Sequence, residues 1–227
     1  MKIKNSETCA FTIIELLVSI AIISVLVSLS LNTYVNARRK AVKTNCMSNL
    51  KEIGVAWHLY TIDFDRFPTG DDIEVGEDPT FTYGGWQGVV ISVPPEKRPL
   101  NNYVSKGSLT QSGARIFHCP GDKDPQAFIR TVFKTTGNSY PSNLFSGAWD
   151  ALGGLTPDGP NVSRSLLILA GDAGWLFDAQ DDASNAHFHQ INRKAVYNVL
   201  FLDFHVDTIR MNKGQLSGEG WTVDAIQ

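Results

Sequence analysis

The chain has 227 residues, of which 43% are hydrophobic and 19% charged, and its formal net charge is −3. This length allows one or two domains, and the composition indicates a globular protein with one membrane anchor, which excludes a multi-span membrane protein and a disordered chain. The charge balance gives no basic patch of the kind that binds nucleic acids, so we expect no nucleic-acid partner.

The first predicted element is an apolar segment, residues 11–31, in which Glu15 is the one ionisable residue. About 20 apolar residues in a helix span roughly 30 Å, the thickness of a bilayer's hydrocarbon core. We therefore predict a transmembrane helix here, preceded by a polar leader over residues 1–10. The helical serines can donate hydrogen bonds to carbonyls one turn back. A carboxylate in such a helix is costly unless it is neutralised or paired, which indicates a function for Glu15. The alternative is a protonated Glu15 near the lipid headgroups.

The helical pattern continues beyond the apolar segment. Apolar residues recur every three or four positions, at Val42, Cys46, Leu50, Ile53, Trp57 and Tyr60. This spacing forms one stripe of a helix. We predict a single helix from about Thr12 to about Ile62, on the order of 75 Å long. Pro68 disfavours helix at Phe67, so residues 32–67 are predicted to be the amphipathic second half and its exit.

Residues 68–213 predict a globular β-rich domain with long loops, and residues 214–227 a partly ordered C-terminal tail. The candidate strands are 88–93, 115–118, 165–170, 197–202 and 206–211. The fourth is apolar on both faces, which predicts a central strand. It should form a hairpin with the fifth around Asp203 and Phe204. Since Phe204 stands where a tight turn favours Gly, we predict a looser or differently shaped turn. The predicted fold class is α+β.

The segment Ala10-Phe11-Thr12-Ile13-Ile14-Glu15 resembles the processing site of type IV prepilins and type II secretion pseudopilins. The resemblance implies that prepilin peptidase cleaves between Ala10 and Phe11 and methylates the new amino group of Phe11. It also implies that Glu15 partners the N-terminal amine of a neighbouring subunit. Two buried opposite charges would offset each other's desolvation. Ala10 departs from the family pattern, which usually has Gly before the cleavage site.

Later segments resemble the pseudopilin-like proteins of planctomycete and verrucomicrobial bacteria, at residues 46–54, 66–68, 117–122, 139–143 and 198–206. The resemblance implies a pilin-like fold, in which the long helix packs on a C-terminal antiparallel sheet. It also implies a structural filament subunit of a pilus or secretion pseudopilus that is not an enzyme. Its partners would be prepilin peptidase, the bacterial inner membrane before assembly and other pilin or pseudopilin subunits.

The implied orientation is a single-pass protein whose C-terminal domain is extracytoplasmic. The positive-inside rule opposes it, because Lys2 and Lys4 precede the span while four basic residues follow it. In an exported domain, Cys46 and Cys119 could form one disulfide, since Cys9 would leave with the leader. The sequence leaves open whether Cys46 and Cys119 meet.

The C-terminal region offers candidates for a metal or catalytic cluster, namely His187, His189, Asp203 and His205. A His-x-His pair on an extended segment suits zinc and other transition metals. Nearby carboxylates could instead hold calcium, and some pseudopilins hold calcium in a C-terminal loop. These carboxylates belong to Asp172, Asp178, Asp181 and Asp182. The favoured interpretation is plainer: the Asp residues form solvated turns, and the His residues cap strands or face solvent.

A second class of function therefore stays open beside the filament subunit. A membrane-tethered extracytoplasmic domain could bind a ligand or glycan, or act through a metal at the His/Asp cluster. Exposed tryptophans could provide a stacking surface for glycans, from among Trp86, Trp149, Trp175 and Trp221. The alternative for these aromatic residues is a place in the core or in a subunit contact.

Overall fold

A computed structural model of the chain describes residues 12–73, 79–105, 109–123, 131–144, 152–180, 187–191 and 194–225. The chain forms two compact units, Met1–Ala41 and Val42–Gln227. One long helix, α1, covers Ile13–Phe64 and confirms the helix predicted from the apolar spacing. Together with an antiparallel sheet in the second unit, it gives the predicted α+β fold.

In the first unit, α1 carries apolar side chains that no other part of the described chain covers. Ile13 is 77% exposed and Leu29 is 70% exposed. The serine hydroxyls donate to carbonyls three or four residues back, as predicted, at Ser19, Ser24, Ser28 and Ser30. This helix is long and apolar enough to span a membrane. The length and apolar composition of this helix and its satisfied serines match the expectation from the sequence.

In the second unit, one face of α1 supplies a large part of the core. The predicted stripe is buried at Cys46, Leu50, Ile53, Trp57 and Tyr60. The opposite face exposes a second apolar stripe, made of Val55, Leu59 and Ile62. Residues that are four and three positions apart share a helix face, so both stripes follow from the helical period.

The sheet is organised around one strand. Strand β3, Lys194–Phe201, pairs antiparallel with β1, Ile168–Gly171, with β2, His189–Ile191, and with β4, Val206–Ile209. This confirms the predicted central strand and the hairpin with the strand that follows it. Residues of β3 enter two separate core clusters, Leu200 in one, together with Leu202 just after the strand, and Tyr197, Val199 and Phe201 in the other. Strand β3 is apolar on both faces because both faces are covered.

The remaining elements are short. The α-helices after α1 are α2, Pro79–Thr82, α3, Asn101–Val104, α4, Val132–Thr136, and α5, Gly174–Ala179. Single 3-10 turns cover Gly70–Asp72, Pro95–Lys97 and Gly113–Phe117. A two-stranded ribbon joins β5, Ser217–Gly218, to β6, Trp221–Thr222.

Two predicted strands are absent from the described chain. Residues 88–93 form bends and coil: the amides of Val89 and Val90 donate to the carbonyls of Lys134 and Thr135 at the end of α4, not to a neighbouring strand. Residues 115–118 lie in and just after the 3-10 turn Gly113–Phe117. The other three predicted strands exist with shifted ends. Short apolar runs can be buried by loops and short helices as well as by sheet neighbours, and a strand pattern cannot distinguish these cases.

The β3–β4 turn has a specific geometry. Phe204 has φ of +66°, the left-handed conformation, and the Phe201 amide donates to the His205 carbonyl at 2.9 Å. Three residues thus form the loop, with the left-handed residue last, a common hairpin arrangement in which Gly is preferred. The turn is longer than a two-residue one, which agrees with the looser turn expected from Phe204.

The segment predicted as a partly ordered tail is part of the fold as far as residue 225. Trp221, Val223 and Ala225 are buried. The Thr222 amide donates to the Leu166 carbonyl at 2.7 Å. The tail prediction is corrected here: the apolar residues of 221–225 fill space beside β1 that the sheet alone leaves uncovered.

Candidate functional site

The predicted processing residues Ala10 and Phe11 lie outside the described residues. Glu15 lies in the first turn of α1, where its carboxylate accepts hydrogen bonds from the Thr12 amide at 2.9 Å and the Thr12 hydroxyl at 2.8 Å. The Thr12 hydroxyl in turn accepts from the Glu15 amide at 3.2 Å. This reciprocal arrangement is a capping box. Within one chain, Glu15 therefore satisfies the start of its own helix, where a negative charge is also favoured by the helix dipole.

The two cysteines of the second unit form a disulfide. The Cys46 and Cys119 sulfurs are 2.17 Å apart, their Cα atoms are 5.3 Å apart, and both side chains are fully buried. The bond joins α1 to the loop that follows the 3-10 turn Gly113–Phe117. In the same region, the Asn49 side-chain amide donates to the His118 carbonyl at 3.2 Å and to the Tyr140 hydroxyl at 3.3 Å. Helix α1 is thus tied to this loop by both covalent and polar contacts.

The loop also positions Asp122, which follows Cys119 by three residues. The Asp122 carboxylate accepts from the Val132 amide at 3.1 Å, the Phe133 amide at 2.8 Å and the Ser139 hydroxyl at 2.8 Å. Burial raises the pKa of Asp122, while these hydrogen bonds oppose the rise. Asp122 therefore fixes the start of α4 and the segment after it, a structural task.

Two further polar residues lie against the disulfide. His189 begins β2 and Asp172 directly follows β1; both are buried. The His189 Nε2 atom is 3.4 Å from the Cys119 sulfur and 3.5 Å from the Asp172 Oδ2 atom. One donor atom from each of Cys46, Cys119, Asp172 and His189 lies within 4.8 Å of the other three. We call these four residues the Cys/His/Asp cluster.

The backbone of the sheet holds Asp172 in place. Its Oδ2 atom accepts from the Asn198 amide at 2.8 Å, and its own amide donates to the Asn198 carbonyl at 3.0 Å. Burial raises the pKa of Asp172 to about 8 and lowers the pKa of His189 to about 4. Both shifts favour the neutral forms, so the 3.5 Å separation does not mark a charged ion pair at neutral pH.

The cluster geometry also bears on catalysis. A proton relay of the Cys-His-Asp type needs the sulfur on one imidazole nitrogen and the carboxylate on the other. Here the sulfur and the carboxylate both approach Nε2. All four side chains are buried, which leaves a substrate no approach to the sulfur. The arrangement therefore favours convergence on one central point over a relay.

The other predicted site residues lie elsewhere. His187 Nδ1 is 2.9 Å from the Tyr197 hydroxyl, which also donates to Asp178. Asp203 and His205 contact each other at 2.5 Å in the β3–β4 turn and are partly exposed. His189 pairs with Val196 of β3, and Asp203 in the β3–β4 turn follows Val196 by seven residues, which is roughly 20 Å along an extended chain.

The four residues predicted as one cluster therefore stand at three separate places, with Asp203 and His205 together in the β3–β4 turn, and the structure brings only His189 to a buried group of potential ligands. Asp181, Asp182 and Trp149 lie outside the described residues. Trp175 and Trp221 are buried, so they do not form an exposed stacking surface.

Sequence reasoning considers each member of the Cys/His/Asp cluster but does not join them. It predicts at most a disulfide for Cys46 and Cys119, and it groups His189 with His187. In the sequence, only the residue types could have indicated this site. Two cysteines, a histidine and an aspartate suit zinc, but their spacing follows no known zinc-binding motif.

Comparison with known proteins gives no assignment: no family model, curated protein or solved structure matches this chain. One long apolar N-terminal helix, with its second part packed on a small antiparallel sheet domain, fits a pilin-like architecture.

Proposed function

We propose that this protein is a structural subunit of a type IV pilus or type II secretion pseudopilus. In this proposal, prepilin peptidase cleaves it between Ala10 and Phe11, and it assembles through α1 after release from the bacterial inner membrane. The observation that carries the proposal is the apolar first unit of α1, uncovered over its described length, with one carboxylate in its first turn. Such a surface needs lipid or other apolar helices around it.

The capping contacts of Glu15 support this function at the step before assembly. A carboxylate in a membrane needs hydrogen-bond donors, and Thr12 supplies two of them. Cleavage before Phe11 would create an α-amine one residue ahead of Thr12. Pairing Glu15 with the amine of a neighbouring subunit would then exchange a local cap for an intermolecular ion pair, which fixes the register between subunits.

The second apolar stripe of α1 supports a subunit contact within the second unit. Val55 is 61% exposed and Ile62 is 63% exposed, on the helix face opposite the core. An amphipathic helix normally presents polar residues on its outer face. A second copy of the same helix is an occupant of matching chemistry for this stripe.

Intact-mass spectrometry of the chain co-expressed with a prepilin peptidase tests the processing step. The expected product has lost residues 1–10 and gained the mass of one methyl group. A chain that still begins at Met1, under conditions in which a Gly-containing prepilin is cleaved, would contradict the proposal. The variant Ala10→Gly, tested beside the parent chain, would then show whether Ala10 alone prevents cleavage.

Two variants test the role of the charge on Glu15. Glu15→Gln keeps an oxygen that can accept from Thr12, while Glu15→Leu removes both the charge and the cap. If the charge pairs with a neighbouring amine, both variants should lower filament yield at least about tenfold, since an unpaired buried amine costs several kcal/mol.

Membrane insertion should remain unchanged in both Glu15 variants. The matched control is Ser19→Ala, which removes a hydroxyl one turn further along and should assemble normally. Filament yield equal to the parent for Glu15→Gln would refute the charge-pairing role.

A further inference from the structure

We propose that Cys46, Cys119, Asp172 and His189 bind a zinc ion when the two cysteines are thiols, so that the disulfide and the ion are alternative occupants of one position. This inference does not rest on the filament function and would stand if that proposal failed.

The donor set and its geometry carry the inference. Zinc in structural sites binds thiolate sulfur at about 2.3 Å and imidazole nitrogen or carboxylate oxygen at about 2.0–2.2 Å, in a tetrahedron. Such bond lengths separate neighbouring donor atoms by about 3.3–3.8 Å. The observed distances from His189 Nε2 are 3.4 Å to the Cys119 sulfur and 3.5 Å to the Asp172 oxygen. The Cys46 and Cys119 Cα atoms are 5.3 Å apart, so rotation of the two side chains would bring the sulfurs into the same range once the S–S bond is broken.

The approach of a sulfur and a carboxyl group to a single nitrogen points the same way. A neutral imidazole carries either one proton or one lone pair at Nε2, and a hydrogen bond made there can be directed to the sulfur or to the Asp172 carboxyl group, not well to both. A metal ion at the common centre would be bound by all of these groups at once. The four residues come from α1, the loop after Phe117, the end of β1 and the start of β2.

The polar balance of the site also favours a cation. Among the described residues, no donor reaches the Asp172 Oδ1 atom, although the side chain is only 1% exposed. A buried carboxylate oxygen without a partner is unfavourable, and metal coordination is one of the ways in which proteins compensate it. Two thiolates, one carboxylate and Zn²⁺ would leave one net negative charge, near Lys43, whose charge already acts on Asp172 and His189.

Gly121 makes the close packing of the cluster feasible. A Cβ atom at position 121 would lie 2.9 Å from the His189 Cε1 atom, 3.1 Å from the Phe188 carbonyl oxygen and 3.4 Å from the Cys119 sulfur. The absence of a side chain therefore lets the imidazole reach the sulfur. The Gly121 amide also donates to that sulfur at 3.3 Å, a contact of the kind that stabilises metal-bound thiolates.

The chemistry is a reduction followed by ligand exchange. A dithiol or phosphine reductant gives two electrons to the Cys46–Cys119 disulfide and is itself oxidised, and two protons complete the thiols. Zn²⁺ then replaces the two thiol protons and the carboxyl proton of Asp172, which leave to solvent, and forms bonds to both sulfurs, His189 Nε2 and the Asp172 carboxylate. Oxidation by a disulfide or oxygen reverses the sequence and releases the ion.

The test uses the full chain in detergent, prepared under anaerobic conditions in the oxidised form and after reduction with a phosphine. Each form is incubated with Zn²⁺, freed of excess metal and measured for bound zinc, free thiols and circular dichroism. The reduced form should hold one zinc per chain and the oxidised form none. Cobalt(II) in place of zinc should give the visible bands of tetrahedral coordination and a sulfur-to-cobalt charge-transfer band. X-ray absorption should show two sulfur ligands at about 2.3 Å.

Variants separate the cluster from incidental metal binding. His189→Ala and Asp172→Asn should each weaken zinc binding by the reduced form at least about tenfold. Loss of a residue that only contacts a metal ligand already lowers metal affinity by about that factor, so loss of a ligand itself should cost at least as much. The matched control is His205→Ala, which removes the partly exposed imidazole of the β3–β4 turn and should bind zinc as the parent does.

Three results would overturn the proposal. The first is a reduced parent chain that retains no zinc, whether it stays folded or unfolds and fails to refold on adding zinc. The second is zinc bound equally by the oxidised form. The third is zinc bound without sulfur ligation in the cobalt spectrum. Since the parent protein alone decides all three, a variant that fails to fold does not leave the question open.

Discussion

Arg98 provides a sharp test of how the globular unit is held together. Its side chain is fully buried, and in the part of the chain that the structure describes its guanidinium contacts no carboxylate. It donates instead to four main-chain carbonyls, at 2.8–3.2 Å, those of Phe81, Gly84, Val93 and Thr136. Burial lowers the pKa of Arg98 to about 10, which still leaves it charged at neutral pH. Arg98 thus joins three separate chain segments through one planar group.

The informative substitution is Arg98→Met, which keeps an unbranched apolar side chain and removes every donor. The Gly84 carbonyl retains the Asn138 side-chain amide at 3.3 Å, so three carbonyls lose the donor that Arg98 gives them. A buried carbonyl left without a donor costs about 1–3 kcal/mol, and relief of the buried cation offsets part of the sum. We expect a net loss of about 3–5 kcal/mol in the free energy of unfolding, which raises the equilibrium constant for unfolding at least about a hundredfold.

Denaturant unfolding of the detergent-solubilised chain, followed by tryptophan fluorescence, measures this loss, because Trp57 and Trp175 are buried in the same unit. Lys51→Met on the exposed face of α1 is the matched control and should change stability by less than about 0.5 kcal/mol. Arg98→Lys keeps the charge but not the planar fork, and should lose most of the same stability. A loss below about 1 kcal/mol for Arg98→Met would show that the carbonyls find water or other donors, and would contradict the proposed role of Arg98 in joining these segments.

Two further predictions concern local structure. Arg66 forms a two-pronged ion pair with Asp72, at 2.7 and 2.6 Å, and its hydrogen bonds lower the pKa of Asp72. The resulting stability is present above the unfolded-state pKa near 3.8 and is lost as the pH falls through the lower folded-state pKa. Asp72→Asn should therefore lower the free energy of unfolding by about 1–2 kcal/mol at pH 7, measured by thermal unfolding, and should have no effect in strong acid. The control Asp71→Asn, at an exposed residue, should cost little at either pH. Gly137→Ala should destabilise the protein by about 3 kcal/mol or more, because φ at Gly137 is +85° and the new Cβ would overlap the Trp86 carbonyl oxygen. Gly220→Ala should cost about 1 kcal/mol, because φ is +78° but no atom lies within 4 Å of the new Cβ. Equal effects of the two variants in the same unfolding assay would show that the overlap with Trp86 does not matter.

The elements that can be predicted are those whose pattern is local and long. The stripe from Cys46 to Tyr60 repeats often enough to define a helix, and burial on that face follows from the period alone. Strand β3 is recognisable because Val199 and Leu200 are both buried, in different clusters, so no polar alternation interrupts it. Long periodic segments specify their own structure; tertiary contacts only place them.

Short segments depend on what packs against them. The sequence predicts Phe117 in a strand, yet it lies in a 3-10 turn because its ring fills the core beside Tyr83, with ring centroids 6.1 Å apart. The β-branched side chains of Val89 and Val90 predict a strand, yet their amides bond to the end of α4 and their side chains are exposed. In both cases a few apolar residues satisfy several structures, and distant contacts choose between them.

The Cys/His/Asp cluster shows the same dependence in a functional setting. Cys46 and Cys119 are 73 residues apart, and Asp172 and His189 arrive from two strands that pair with different parts of β3. Spacing rules identify metal sites in which ligands share one hairpin or one helix turn, as the spacing of His187 and His189 suggests. Here the ligands meet because α1, the loop after Phe117 and the sheet converge at one buried point. The two cysteines that tie the helix to that loop are also two of the four ligands of the proposed ion site, and a change of redox state at this point would exchange a covalent tie for a coordinate one.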